Sequence, residues 1–182
     1  MRHYLARMKS KEPSPARIPL IKILWSWLGA FIGIYLITSI GNSFTGDATI
    51  NLFLIGSFGA SAMLVYGAPL AEFSQPRNLV GGHIICALIG TACYKYIHLD
   101  LAMVTAIAAS TSIVIMHFTR TMHPPGGATA MIAVIGNTQV HDLGYWFALS
   151  PVGLGTIILL IVAVMVNNLS VNPKRHYPRY WL

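Results

Sequence analysis

The chain has 182 residues, of which 55% are hydrophobic and only 9% are Asp, Glu, Lys or Arg. A soluble domain carries about a quarter charged residues, so this composition excludes a free cytosolic globule, and it excludes disorder, which needs polar, charge-rich sequence. The 5 acids leave few members for a carboxylate-rich catalytic site or hard-metal cage, and the 2 cysteines cannot build a disulfide scaffold.

Residues 1–22 form a basic tail carrying Arg2, Arg7, Lys9, Lys11, Arg17 and Lys22, with Pro13, Pro15 and Pro19 interrupting it. A second basic tail, 171–182, carries Lys174, Arg175 and Arg179. The net charge of +7 therefore flanks an apolar body instead of covering a surface. That argues against nucleic acid as a partner and for a bilayer protein whose termini face the cytoplasm and its anionic leaflet. The run from Ile23 continues past Ile40 without a small-residue cleavage site, so it reads as a retained span and not a signal peptide.

Internal charges cut the body, 23–170, into uncharged stretches at 23–46, 48–71, 78–94, 101–119, 121–141 and 143–173. A helix needs about 20 apolar residues to cross a bilayer core, and in lipid the backbone must satisfy its own polar groups. Continuous apolar runs argue for helices over an alternating β-barrel. The expected fold is an all-α polytopic membrane protein.

Gly59-Ala-Ser-Ala-Met-Leu-Val65 and Gly127-Ala-Thr-Ala-Met-Ile-Ala133 match at four of seven positions, 68 residues apart. Each lies in the middle of three apolar segments. The body then divides into two halves, about 23–98 and 99–170, and three crossings each would invert the second half. Six crossings with the N-terminus inside put 11 basic residues inside and only Lys95 outside. Four crossings, with both middle segments dipping in and returning, give 10 and 2. Basic residues favour the inside, so six is preferred. The middle segments are expected to be short or broken. Pro124 to Asn137 rises only about 20 Å. The third segment of each half opens with Pro and Gly, at Pro76 with Gly81-Gly82 and at Pro151 with Gly153 and Gly155. Such interruptions at matching places are the sequence pointer to a transport site.

His123-Pro-Pro-Gly-Gly-Ala-Thr-Ala130 is the most informative run. Proline suits the first helical turn, and the amides of Gly126, Gly127 and Ala128 would then lack carbonyl partners one turn back. With the helix dipole, and with Arg120 and His123 beside it, that end could hold an anion. The same residues could simply start a helix and admit a close backbone neighbour.

This run resembles the motif that names the HPP family of integral membrane proteins, and Gly59-Ala-Ser-Ala62 and Gln75-Pro-Arg-Asn78 resemble that family's other characteristic stretches. The similarity covers about residues 23–170. The resemblance implies four transmembrane helices, which two short re-entrant segments would reconcile with six stretches. Plant plastid and cyanobacterial members are associated with nitrite transport, so it also implies a channel or carrier for a small inorganic anion, nitrite first. Some members carry an appended CBS region, for which this chain is too short.

The candidate binding residues are Arg120, His123, Gly126, Gly127, Ala128 and Thr129, with Ser61, Gly59, Arg77, Asn78 and His83. Arg77 and Arg120 are the two arginines inside the body, and arginines there are expensive and usually functional, although cytoplasmic turns would also suit them. Ser61 and Thr129 hold matching places in the two stretches, His83 could hydrogen-bond across helices or relay a proton, and Asn78 could cap the third segment. No metal or other cofactor is expected. His117 and His123, six apart, do not share a helix face, and no nucleophile–base motif suggests an enzyme. Six short segments make a thin bundle, which predicts a homo-oligomer. A bacterial inner membrane is the expected location. The rival reading is a membrane scaffold or sensor that transports nothing.

Overall fold

The computed structural model describes residue 7, residues 13–45 and residues 48–182, with side chains throughout these ranges except 41–55. Arg2, Lys9, Lys11 and Asp47, which bear on the charge count, lie outside the described residues. Each apolar stretch forms a helix, and no strand occurs among the described residues. The helices are α1 (Leu20–Thr45), α2 (Ala48–Gly67), α3 (Gly82–Tyr96), α4 (Leu101–Phe118), α5 (Pro124–Ile135), the short α6 (Thr138–Leu143) and α7 (Leu154–Leu169).

Four helical stretches are long and apolar enough to cross a membrane: Leu20–Ile40, Arg77–Tyr96, Leu101–Phe118 and Ala148–Leu169. α5, with 12 residues, rises only about 18 Å. It is the short middle segment the sequence predicts. The first half differs: α2 has 20 residues, which corrects the expectation that both middle segments are short. Its 48–58 portion lacks Pro and carries bulky apolar residues, so nothing halts the helix early. The third segment of each half does open irregularly, on a π-helical turn at Arg77–Gly81 and another at Ala148–Gly153. In the second, Ser150 leaves helical geometry before Pro151, as a residue preceding proline tends to.

The helices pack around three buried clusters, one of which joins Ala87 of α3 and Ala133 of α5 to Val140, Phe147, Ala148 and Val152. Ile37 of α1, Phe58, Val65 and Tyr66 of α2, and Leu159 and Ala163 of α7 form one core, while Cys86, Val104, Ala108, Met116 and Ala130 join α3, α4 and α5 in another. Small residues bring backbones together, as they must where lipid supplies no hydrophobic drive between helices. A Cβ on Gly90 would collide with the Ala130 carbonyl, and one on Gly82 would stand 2.7 Å from both His123 Cβ and the Thr121 carbonyl. Outward, Leu20, Leu24, Trp27, Phe31 and Tyr35 lie exposed along one side of α1. That stripe suits acyl chains. Both cysteines are buried and free.

One end of the bundle gathers basic residues. Arg175 donates to the carbonyls of Lys22 and Tyr66, and Arg179 to that of Leu70. α3 starts and α4 stops beside this same end, with Arg77 and Arg120. Lys95 lies at the far end of α3, over the Tyr145 ring.

Candidate functional site

The N-terminus of α5 is built differently from its sequence-based expectation. The N-cap is His123, and Pro124 and Pro125 are the first two helical residues. The amides that an α-helix leaves free are those of the cap and the first three positions. Here two of the four are prolines, and the Gly126 N–H donates to the His123 carbonyl at 2.8 Å. Gly127 and Ala128 fall one position further in, opposite the carbonyls of 123 and 124. The expectation of bare amides across 126–128 is corrected accordingly: two prolines in succession use up the positions where free amides would stand. Gly126 instead packs against α3, where a Cβ would stand 3.0 Å from Cys86 Sγ and the Gly82 carbonyl. Gly127 and Gly59 have open space around the Cβ position, with nothing within 4 Å.

Four other predicted residues meet in one buried chain. Ser61 on α2 stands 2.7 Å from His83 Nε2 on α3 and 2.9 Å from His123 Nε2. His83 Nδ1 lies 2.7 Å from Thr129 Oγ1 on α5, and His123 Nδ1 lies 2.6 Å from the Phe73 carbonyl. His83, His123 and Ser61 are 0% exposed and Thr129 is 1% exposed. Gly81-Gly82 lets α3 approach closely enough to place His83 there, and Phe58 packs edge-on against its ring at 5.3 Å.

The proton positions follow link by link. The Phe73 carbonyl only accepts, so His123 Nδ1 carries hydrogen. With a neutral imidazole, His123 Nε2 is then bare and takes the hydrogen of Ser61. Ser61 has one hydrogen, so it accepts from His83 Nε2–H. His83 Nδ1 is left bare and accepts from the Thr129 hydroxyl. Every member is satisfied, which buried polar groups require. The Ser57 carbonyl, at 3.1 Å from Ser61, is the more distant competitor for that serine's hydrogen.

Beside this chain an open cavity of about 480 Å³ faces the basic end of the bundle, lined by Arg77, Asn78, Arg120, Met122, Arg179 and Tyr180 among others. Among the side chains that line it, three guanidiniums and His117 face one carboxylate, Glu72, and Leu182 lies there too. Arg77 Nε and Asn78 Oδ1 are buried without hydrogen-bond partners. The Asn78 amide donates to the Met122 carbonyl at 2.8 Å, tying the cavity floor to the residue before His123. Arg120 is exposed and adopts φ 58°, a left-handed conformation that costs a non-glycine residue about 1–2 kcal/mol. Strain of that kind collects at functional sites.

Sequence reasoning missed the far wall of this cavity. Arg179 and Tyr180 belong to the tail assigned to the leaflet surface. The tail instead folds back: Tyr177 donates to the Ser74 carbonyl, the Arg179 amide to Gln75 Oε1, and the Tyr180 ring lies under the Arg77 guanidinium, 5.8 Å away. Burial holds the Tyr177 phenol well above its ordinary value and pulls the Arg175 guanidinium down. The Phe73 carbonyl was invisible too, since a backbone acceptor leaves no trace in residue type. Among the described residues no group of three or more His, Cys, Asp or Glu could hold a metal ion.

Compared with known proteins, residues 15–178 match the family model described as HPP, transmembrane region. Two transmembrane proteins of Dictyostelium discoideum are similar to the chain. One is 41% identical over 181 residues, covering 98% of this chain and 57% of the relative. The other is 40% identical over 174 residues, covering 94% and 60%. The chain thus spans little more than half the length of these relatives. No solved structure matches.

Proposed function

The chain belongs to the HPP transmembrane family and is an integral membrane protein, and from that premise we propose that it transports a small inorganic anion, nitrite first among candidates. The observation that carries this reading is the arginine cavity. Arg77, Arg120 and Arg179 line one open space, and Arg77 Nε and Asn78 Oδ1 are unpaired beside it. Both of those atoms are buried and Oδ1 only accepts, so the anion would meet the guanidinium groups that line the open space. Guanidiniums are weakly hydrated and match planar oxyanions in a bidentate way.

In this reading the cavity is a vestibule on the cytoplasmic side, in line with the gathering of basic residues there. The buried chain of His123, Ser61, His83 and Thr129 lies beside this vestibule, between α2, α3 and α5. Matching irregular turns before α3 and α7, and the arrival of Ser61 and Thr129 at one histidine, support descent of the two halves from inverted repeats. The test is uptake by the reconstituted full chain across a panel of nitrite, nitrate, chloride and formate. Protein-dependent uptake led by nitrite supports the reading. No uptake of any anion above protein-free vesicles leaves a scaffold or sensor in its place.

A further inference from the structure

We infer that a proton is the second substrate, carried on the His83–Ser61–His123 chain and moved together with the anion. This rests on the anion reading above. Two imidazoles share one serine hydroxyl, at 2.7 and 2.9 Å, with ring centroids 5.0 Å apart. Two such rings in series, bridged by a group that both donates and accepts, form a relay.

The relay has a polarity and an end. In the resting arrangement each hydrogen points from Thr129 toward Phe73. A proton arriving at Thr129 Oγ1 lets that hydroxyl pass its own hydrogen to His83 Nδ1, forming one N–H bond. His83 then gives its Nε2 hydrogen to Ser61 Oγ, whose former hydrogen passes to His123 Nε2. Three O–H or N–H bonds break and four form, one for the added proton, and no electrons are exchanged. Afterwards His123 is a cation donating to the Phe73 carbonyl and to Ser61, Ser61 donates to His83, and His83 Nδ1–H donates to Thr129. All four links survive, the three from Thr129 to His123 with direction reversed and the one from His123 to the Phe73 carbonyl unchanged. The Phe73 carbonyl cannot pass a proton on, so the charge rests on His123, next to Met122 in the cavity lining, until the Nδ1–H bond breaks and gives its proton to vestibule water, which leaves His123 neutral with hydrogen on Nε2.

The surroundings favour one proton at a time and a companion anion. A second cation 5.0 Å away is disfavoured by like-charge repulsion. Titratable groups on the packed elements are Tyr66 on α2, Arg77 and Cys86 beside and on α3, with Cys93, Tyr94, Lys95 and Tyr96 at the far end of α3, His117 and Arg120 at the end of α4, Glu72 in the 72–74 turn, and Tyr177, Arg179 and Tyr180 of the tail. α5 and α7 contribute none. Of the acids among the described residues, Glu72 faces the vestibule, while Asp100 and Asp142 lie at the opposite ends of their elements. No carboxylate touches His123, and an uncompensated charge buried among helices is costly. The anion held by Arg77 and Arg120 is the available counter-charge, so proton and anion stabilise each other's presence.

The test is nitrite uptake by full-chain proteoliposomes under separately imposed pH gradients and potassium–valinomycin potentials, with protein-free vesicles subtracting nitrous acid leakage. Coupled movement predicts uptake that rises about tenfold for a favourable pH difference of one unit and ignores the potential. Ser61→Ala and Thr129→Val, checked for intact folding by melting temperature, should convert this into potential-driven uptake. Wild-type uptake driven by potential and indifferent to pH overturns the coupling while the anion reading stands. No protein-dependent nitrite uptake at all removes both.

Discussion

Two polar regions lie side by side in this bundle and have opposite properties. The chain from Thr129 to Phe73 is sealed and every hydrogen bond in it is made, whereas the arginine cavity is open and holds the unpaired Arg77 Nε and Asn78 Oδ1. A satisfied buried network fixes the helices that contribute to it. An open one lined by three arginines has charge to offer a ligand. On the proposed function, the cavity would receive the anion, and positioning and proton handling would fall to the chain.

The two regions can be separated by substitution. The largest effect is expected at Gly82→Val, because the new side chain meets His123 Cβ and the Thr121 backbone at 2.7 Å. Backbone cannot yield as a side chain does, so a loss of about 3 kcal/mol or more, or failure to fold, should appear in detergent melting curves. Ser61→Ala comes next. It leaves Nε2 of both histidines without their partner, at about 1–3 kcal/mol for each buried unmet group, again read as a lower melting temperature. Gly126→Ala should cost about 1 kcal/mol by crowding Cys86 and Gly82, while Gly127→Ala, with open space at Cβ, should stabilise by up to about 1 kcal/mol through helix propensity. An equal effect at the two glycines would break the assignment of Gly126 to helix packing. The smallest stability change belongs to Arg120→Gly. Relief of the left-handed backbone nearly cancels the entropy of glycine, for a net gain of about 0.5 kcal/mol, yet nitrite uptake should fall. Stability and transport moving in opposite directions there would sharpen the division between the regions.

Much of this was legible from residue type and spacing. Uncharged runs bounded by Arg77, Lys95, Asp100 and Arg120 became helices, because lipid leaves the backbone no other way to satisfy itself. Pro124 set the start of a short α5, and the paired Pro-Gly openings became irregular turns. Ser61, His83, His123 and Thr129 were picked out singly, but their convergence was not readable, since it depends on how closely Gly82 and Gly90 let α3 approach α5. The amides of 126–128 misled because a proline pair fills the first two helical positions and so places the glycines further in. The tail misled for another reason. Its charges suit a lipid surface equally well, and only the contacts of Arg175, Tyr177 and Arg179 with the 66–75 segment show it folded back as a cavity wall.

The most direct measurement compares initial nitrite uptake by wild-type proteoliposomes with that of the double variant Arg77→Gln/Arg120→Gln at matched protein density. Loss of two charge-assisted contacts, each worth about 1.5–3 kcal/mol, predicts a fall of at least about tenfold with melting temperature nearly unchanged. Uptake equal to wild type in a folded double variant would contradict the arginine cavity as the place where the anion is received.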